Sequence, residues 1–236
     1  VPRWSKIRID TDKQEGWVDE KMITPMSDTE YRTIQDQIKN SSMVLFPMAY
    51  AVSENNGQTI PLTAGTRLLN YAKGFFEVLG VRFRIDEQMV ATVPLEMTSD
   101  NLLKVVRFFL NTPYLWGGKN AFGMDCSGFT QVVLSLFGHH LLRNASDQIL
   151  QGVEVVSLKE ARAGDLAFFD HADISPDANH ISHVGILLDS ERIVHCSGRV
   201  KVEKIDSRGI FSKEVADPSH LDGQYTHHLV SIRRLS

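Results

Sequence analysis

A cysteine at residue 126 stands where the chain could build a reactive thiol. It follows a glycine-rich turn and an aspartate in the segment GGKNAFGMDCSGF, and an apolar stripe begins directly after it. Asp125 occupies the position of a helix N-cap, which predicts that Cys126 lies in the first helical turn. Free backbone N–H groups there favour negative charge, so we expect the helix start to lower the pKa of the thiol. The same groups could stabilise the oxyanion of an acyl-transfer reaction.

A nucleophilic cysteine also needs a general base and a group that orients this base. His183 in SHVGI and His195 in IVHCS lie on two predicted neighbouring strands, joined by the turn LDSER. Antiparallel pairing can bring both imidazoles to one face of a sheet, and alternation then directs Cys196 to the other face. This favours Cys196 as a buried structural residue. A Cys126–Cys196 disulfide in a redox or stapled protein is the alternative.

The other histidines do not have the spacing of a metal site. His139–His140 and His227–His228 are adjacent pairs, which cannot easily bind one metal from a regular element. We therefore predict structural or surface roles for these four residues, and neither a metal nor a cofactor. A core cysteine with hydrogen-bonded strand histidines is the simpler alternative to catalysis.

Two helices and a meander of strands must position these groups. Ser99 or Asp100 can cap a helix that Pro113 stops, and a second helix after Cys126 is predicted to be amphipathic and to end at Gly138. Five strand patterns follow, at 165–170, 183–189, 192–197, 199–205 and 229–235. Helices followed by an antiparallel meander predict an α+β fold for residues 98–236.

The region before residue 98 is predicted to be mostly β. Residues 1–26 have the pattern of the end of a small β module with a hairpin, and residues 41–97 that of a second module. Residues 27–40 are predicted to form a helical connector, in which Ser27 and Glu30 have capping-box spacing.

Composition excludes some classes of function. The net charge of -4 argues against nucleic acid as a partner. No run of about 18 apolar residues predicts a membrane span. The Val1 start favours an extracytoplasmic site, periplasmic or secreted, although cytoplasmic recycling is an open alternative.

Six ordered motifs in residues 102–236 resemble the NlpC-type cysteine peptidases, a papain-like family that cleaves bacterial cell-wall peptides. They are YLWGG (114–118), DCSGF (125–129), RNASDQ (143–148), AGDLAFF (163–169), HVGI (183–186) and IVHCS (193–197). The resemblance implies an α+β papain-like fold with helices packed on an antiparallel sheet. It also implies that Cys126 is the nucleophile, His183 the general base, and His195 the polar residue that orients the base.

The resemblance further implies a set of substrate-binding residues. Tyr114 matches a tyrosine of the cleft whose hydroxyl could help to stabilise the oxyanion, and Trp116 matches an aromatic wall, with core packing as its alternative. Asp125 and Ser127 flank the nucleophile and are implied to hold substrate, and Ser146 could hydrogen-bond it. Two neighbours in the third motif, Arg143 and Gln148, are expected to stabilise the loop, and Asn144 replaces the aspartate usual in the family.

The N-terminal β region is similar to the bacterial SH3-like modules that often precede these peptidases. In related enzymes such a module blocks one end of the cleft, so that only peptides with a free N-terminal L-Ala are accepted. This implies hydrolysis of the bond between γ-D-Glu and a diamino acid, either L-Lys or meso-diaminopimelate, with release of L-Ala-γ-D-Glu. Trp17 is a candidate to contact the substrate amine, with the module core as its alternative place. The expected partners are thus peptidoglycan stem peptides or their fragments.

Two other functions fit the same motifs. One is a catalytically silent protein that only binds the cell wall, and the other is an acyltransferase or amidase on the same scaffold.

Overall fold

The computed structural model describes residues 3–39, 41–92, 94–171, 181–214 and 223–235. The chain divides into two compact units, Val1–Leu95 and Glu96–Ser236. The first unit is rich in strands, and the second combines helices with a large antiparallel sheet. The predicted α+β class is therefore confirmed.

A hairpin and a helix begin the N-terminal unit. They are strands β1 (Trp4–Arg8) and β2 (Glu15–Asp19) and helix α1 (Asp28–Lys39), with a 3-10 turn at Glu20–Met22 between them. The hairpin pairs Lys6 with Trp17. The predicted capping box is present, because the Glu30 carboxylate accepts from the Ser27 N–H at 2.7 Å and the Ser27 hydroxyl accepts from the Glu30 N–H at 3.3 Å.

Seven short strands follow in the described residues of the N-terminal unit. They are β3 (Ser42–Val44), β4 (Met48–Ser53), β5 (Thr59–Thr63), β6 (Arg67–Leu68), β7 (Phe75–Val78), β8 (Val81–Ile85) and β9 (Val90–Ala91), with a 3-10 turn at Glu87–Met89. One sheet has the order β5-β4-β8-β7 and the other the order β6-β3-β9. Both contribute to one apolar core of Val44, Ala49, Ala51, Leu68, Phe76 and Ile85. Two small sheets around one core are consistent with an SH3-like module.

The described residues of the C-terminal unit form three helices. They are α2 (Ser99–Phe109), α3 (Cys126–Ser135) and α4 (Ala145–Gln148). Helix α2 buries one apolar face, formed by Leu102, Val105, Val106 and Phe109. Its cap is one residue earlier than expected, since the Thr98 hydroxyl accepts from the Asn101 N–H at 3.2 Å. Helix α3 ends before the predicted Gly138, which has a left-handed φ of 86° and closes the turns after the helix.

The prediction that α3 is amphipathic is wrong. Every residue from Cys126 to Leu134 is buried, because one side packs on the sheet and the chain after the helix covers the other. The polar residues on that covered side are hydrogen-bonded. Thr130 Oγ1 donates to Gln148 Oε1 at 2.9 Å, and Gln131 Nε2 donates to the Leu141 carbonyl at 2.8 Å.

Nine strands are present in the part of this unit that the structure describes. They are β10 (Lys119–Asn120), β11 (Gly123–Met124), β12 (Val153–Glu154), β13 (Leu166–His171), β14 (His183–Leu187), β15 (Arg192–Ser197), β16 (Arg199–Asp206), β17 (Gly209–Ser212) and β18 (Gln224–Arg234), with a 3-10 turn at Leu158–Glu160. The main sheet has the order β12-β18-β13-β14-β15-β16-β17, and β17 also pairs with β18. The six strands from β13 to β18 therefore close on themselves.

The closure adds two features that the predicted meander lacks. Strand β17 was not expected, and β18 begins at Gln224, earlier than the predicted 229. Gly209 makes the closure possible, because its φ is 144° and a Cβ atom there would collide with the His227 carbonyl. The enclosed core contains Ala167, Phe169, Leu187, Ile193, Ile205, Ile210 and Ile232.

Candidate active site

The start of α3 is held by one carboxylate. Asp125 is the N-cap, as predicted, and its Oδ1 accepts from the Gly128 N–H at 2.7 Å. Its Oδ2 accepts from the Gly117 N–H at 2.9 Å. A Cβ atom at Gly128 would collide with the Gly118 carbonyl and approach Asp125 Oδ1 to 2.9 Å. Only glycine therefore lets the preceding turn pack this closely on the first helical turn.

Arg143 reaches the same carboxylate from the segment before α4. Its guanidinium forms a bidentate pair with Asp125, at 2.6 Å to Oδ2 and 3.0 Å to Oδ1, and it donates to Ser127 Oγ at 2.9 Å. Gln148 is fully buried and donates to the Ser127 carbonyl at 3.1 Å. The expected loop-stabilising role of Arg143 and Gln148 is confirmed. Asp125 and Ser127 thus have partners inside the unit, and their contact with substrate stays a prediction.

Cys126 is buried, with 7% of its surface exposed. Burial raises the pKa of its thiol, and the Asp125 charge acts in the same direction. Hydrogen bonds from the backbone N–H groups of Val184, Ser127 and Cys126 itself lower this pKa, but they do not outweigh burial. The expectation that the helix start lowers the pKa of this thiol is therefore wrong for the net shift, because desolvation of the thiolate exceeds the effect of the N–H groups.

The second cysteine has a structural place. Both Cys126 and Cys196 are free thiols, so the disulfide alternative is wrong. Cys196 is fully buried and donates to the Met124 carbonyl at 3.1 Å. Burial raises the pKa of Cys196 to about 12, so this thiol is protonated at neutral pH.

The two predicted imidazoles meet inside the closed sheet. His183 Nε2 lies 2.8 Å from His195 Nδ1, and the rings are nearly perpendicular at 87°. Both residues are buried, with 4% and 0% of their surfaces exposed. Gly185 lies directly opposite His195 in the register of β14 and β15. The prediction that both rings share one face is thus confirmed, and the glycine leaves room for His195 between the strands.

Strand alternation places this pair on the core side of the sheet. His183 is two and four residues from Gly185 and Leu187, and Leu187 belongs to the enclosed core. Val184, on the next position, donates its N–H toward Cys126. The thiol thus reaches β14 one residue from His183.

Sequence reasoning missed a carboxylate behind the pair. His195 Nε2 lies 2.8 Å from Glu203 Oε2, and Lys201 Nζ lies 3.2 Å from the same oxygen. Only 8% of the Glu203 side chain is exposed. Lys201 is paired with His195 across β15 and β16, and Glu203 follows on the same face. The K-V-E spacing in RVKVEKI was the available signal, but it has meaning only once the strand register is known.

His227 has a structural role, which was one of its two predicted alternatives, but its position beside the pair was not predicted. It is buried, and its ring packs on that of His183 with centroids 4.2 Å apart. Its Nδ1 lies 2.9 Å from Thr226 Oγ1, and its ring meets Phe169 at 6.1 Å. The adjacent His228 is exposed, and so is His140. The place of His227 follows from the unpredicted start of β18.

Three predicted substrate-binding side chains differ in their exposure to solvent, namely Tyr114, Trp116 and Ser146. Tyr114 is 40% exposed, and burial followed by the nearby charges of Cys126 and Asp125 raises the pKa of its phenol. Trp116 is 86% exposed, so its alternative reading as a core residue is wrong. Ser146 is exposed on α4. The substrate-binding roles of these three side chains stay predictions.

Trp17 lies in the N-terminal unit and is 67% exposed. Its alternative reading as a core residue is therefore wrong, and its predicted contact with a substrate amine stays a prediction. Within the described ranges, no cluster of three or more His, Cys, Asp or Glu side chains could hold a metal ion. None of the helices described in the structure has the length and apolar character to span a membrane.

Comparison with known proteins finds the same family that the six sequence motifs indicate. Residues 111–217 match the NlpC/P60 family. A γ-D-glutamyl-L-lysine dipeptidyl-peptidase of Bacillus subtilis (strain 168) is 34% identical over 158 residues, which cover 65% of this chain and 52% of that protein. The dipeptidyl-peptidase 6 of Lysinibacillus sphaericus is 29% identical over 46% of this chain and 37% of its own length. The chain thus spans about half the length of the first of these relatives.

Solved structures share the fold over nearly the whole chain. An NlpC/P60 family protein from Bacillus cereus ATCC 10987 superposes with a TM-score of 0.71 at 22% identity, covering 98% of this chain and 75% of its own. An NlpC/P60 endopeptidase from Photobacterium damselae subsp. piscicida superposes with a TM-score of 0.67 at 16% identity, covering 97% and 58%. The α+β fold is thus shared with these NlpC/P60 proteins, with a strand-rich region before it, and residues 111–217 match the NlpC/P60 family.

Proposed function

We propose that this chain is a cysteine peptidase that hydrolyses peptides of the bacterial cell wall. Cys126 is assigned as the nucleophile, His183 as the general base and His195 as the group that orients it. One observation carries the proposal, namely the buried hydrogen bond of 2.8 Å between the two imidazoles, one residue from the N–H group that contacts the thiol. Buried polar pairs of this kind are costly to keep unless they are fully hydrogen-bonded.

The raised pKa of the thiol requires proton transfer within the site. Because burial outweighs the helix start, the Cys126 proton must pass to His183 for attack to occur. His183 Nε2 is engaged with His195, so Nδ1 is the nitrogen assigned to receive it. The sulfur then bonds to the substrate carbonyl carbon. His183 returns the proton to the leaving amine as the C–N bond breaks, which leaves a thioester on Cys126.

Hydrolysis of the thioester uses the same groups in reverse. His183 takes a proton from water as hydroxide adds to the thioester carbonyl carbon. The C–S bond then breaks, and His183 returns the proton to the sulfur, which releases the acid and restores the thiol. The backbone N–H groups of Cys126 and Ser127, which already lower the thiol pKa, are assigned to stabilise the oxyanion in both halves of the reaction. The half-exposed Tyr114 hydroxyl is a third candidate donor.

The bond cleaved is proposed from the relatives. The Bacillus subtilis relative and a Bacillus cereus relative, 32% identical over 41% of this chain, are both named γ-D-glutamyl-L-lysine dipeptidyl-peptidase. We therefore assign the bond between γ-D-Glu and a diamino acid as the substrate bond. Release of a dipeptide requires a free amino group two residues before that bond, so an N-acetylated peptide should not be cleaved.

The test compares L-Ala-γ-D-Glu-L-Lys with its N-acetylated form, with products separated by chromatography and identified by mass. The expected result is release of lysine and L-Ala-γ-D-Glu from the free peptide only, lost in Cys126→Ser. Cys196→Ser is the matched control, because it alters the other buried thiol and should retain activity. Equal cleavage by Cys126→Ser would refute the nucleophile, and equal cleavage of both peptides would refute the dipeptidyl assignment. Binding without cleavage would indicate a silent binding protein, and transfer of the acyl group to an added amine would indicate an acyltransferase.

A further inference from the structure

We infer that Glu203 is a positioning residue of the active site, which fixes the tautomers of both His195 and His183 so that His183 can accept a proton from Cys126. The inference deepens the proposed peptidase function and rests on it. It concerns a residue that lies behind the base and cannot itself contact the reacting atoms.

Glu203 is held as a carboxylate on the core side of the sheet. It shares that face with Ile205, a member of the enclosed core, where an isolated charge would be strongly disfavoured. Burial raises the pKa of Glu203, but hydrogen bonds from His195 and Ser212 and the charge of Lys201 lower it to about 2. At neutral pH this oxygen can therefore only accept hydrogen bonds.

An acceptor at this position determines where each ring carries its proton. Glu203 Oε2 lies 2.8 Å from His195 Nε2, so that nitrogen must carry the hydrogen. Burial lowers the pKa of His195 despite the Glu203 hydrogen bond, so the ring is neutral and its Nδ1 is an acceptor. His183 Nε2, 2.8 Å from that acceptor, must then donate. With a hydrogen fixed on Nε2, His183 can accept a further proton on Nδ1, as a general base must.

The charge of Glu203 is neutralised by Lys201, which indicates that Glu203 acts by orienting the imidazole rings. Lys201 Nζ lies 3.2 Å from Oε2, closer than its 3.6 Å contact with the exposed Glu214. A lysine at this distance offsets most of the field that Glu203 would exert on the more distant His183. Removal of the carboxylate should therefore act through the wrong tautomer, as when the acidic member of a serine-protease triad becomes an amide.

The test reads the tautomers directly, by ¹⁵N NMR of the histidine rings in the full chain at pH 8, with signals assigned by single histidine substitutions. In the unmodified protein the expected state is His195 protonated on Nε2 with an unprotonated Nδ1, and the opposite tautomer would overturn the inference. This measurement needs no substrate, so it stands apart from failure of the proposed function.

The second arm uses Glu203→Gln, whose amide can either donate to or accept from His195. We expect mixed His195 tautomers and a fall in kcat on the order of 10- to 100-fold with KM within about twofold. Glu214→Gln is the matched control, because it removes the same charge beside Lys201 without contact to His195. It should change neither the His195 tautomer nor kcat. An unaltered His195 tautomer in Glu203→Gln, or an unaltered kcat in a protein with peptidase activity, would overturn the inference.

Discussion

Gly185 lies opposite His195, and a single methyl group there should separate the two imidazoles. A Cβ atom at residue 185 would lie 2.9 Å from His195 Cβ and 2.7 Å from Ile193 Cδ1. Carbon atoms in van der Waals contact are about 3.5–4.0 Å apart, so the strands must part by roughly 0.5 Å or more. If His195 moves with β15, the 2.8 Å contact with His183 lengthens toward the limit of a hydrogen bond. Over-packing of this kind costs about 1–3 kcal/mol of stability.

Steady-state kinetics and thermal unfolding of Gly185→Ala measure both effects. We expect a lower Tm and a fall in kcat of roughly 10- to 100-fold, because a small misplacement of the base is sufficient. Gly16→Ala is the matched control, since a Cβ atom there would meet nothing within 4 Å. An unaltered kcat in Gly185→Ala would refute the claim that the spacing of β14 and β15 determines the distance between the two imidazoles.

Three further predictions concern the groups around this pair. Arg143→Met leaves the buried N-cap carboxylate without its cation and should lower the free energy of unfolding by roughly 3 kcal/mol in urea titrations. The same change at the exposed Arg192 should cost at most about 1 kcal/mol, and equal losses would contradict the account. His227→Phe keeps a ring against His183 and should keep kcat within a few-fold. His227→Ala opens a cavity and should lower both kcat and the free energy of unfolding, the latter by about 2 kcal/mol. Equal kcat in the two variants would show that the ring contact is irrelevant. The pKa of Glu203 is lowered to about 2 in the folded protein. The contribution of Glu203 to the free energy of unfolding is therefore complete above the pKa of the unfolded state and is lost as the pH falls from about 5 to 2. Over that range the free energy of unfolding should fall less in Glu203→Gln than in the unmodified protein, by up to roughly 3 kcal/mol. An equal fall in the two proteins would argue against a depressed pKa of Glu203.

Features set by short stretches of chain could be predicted from the sequence. The caps at Ser27 and Asp125 depend on residues three positions apart, and both are present. Strand alternation placed His183 and His195 on one face because a two-residue period needs no knowledge of the rest of the fold. The same reasoning placed Cys196 on the other face, where it is buried.

Features set by long-range pairing could not be predicted in this way. Glu203 and His227 reach the site only through the register of β15 with β16 and of β17 with β18, which no local pattern specifies. The all-round burial of α3 depends on chain that returns over its polar side. The pKa of Cys126 was predicted in the wrong direction for a related reason, because helix position is local whereas desolvation depends on everything packed around the sulfur.

Alkylation of Cys126 tests the central claim most directly, namely that the imidazole pair and not the helix start ionises the thiol. The measurement is the rate of iodoacetamide modification at pH 7, with the modified peptide identified by mass, in the unmodified protein and in His183→Gln. We expect an adduct on Cys126 and none on the fully buried Cys196, with a rate at least about tenfold lower in His183→Gln, since thiolate is the reacting form. Equal rates in the two proteins would contradict it.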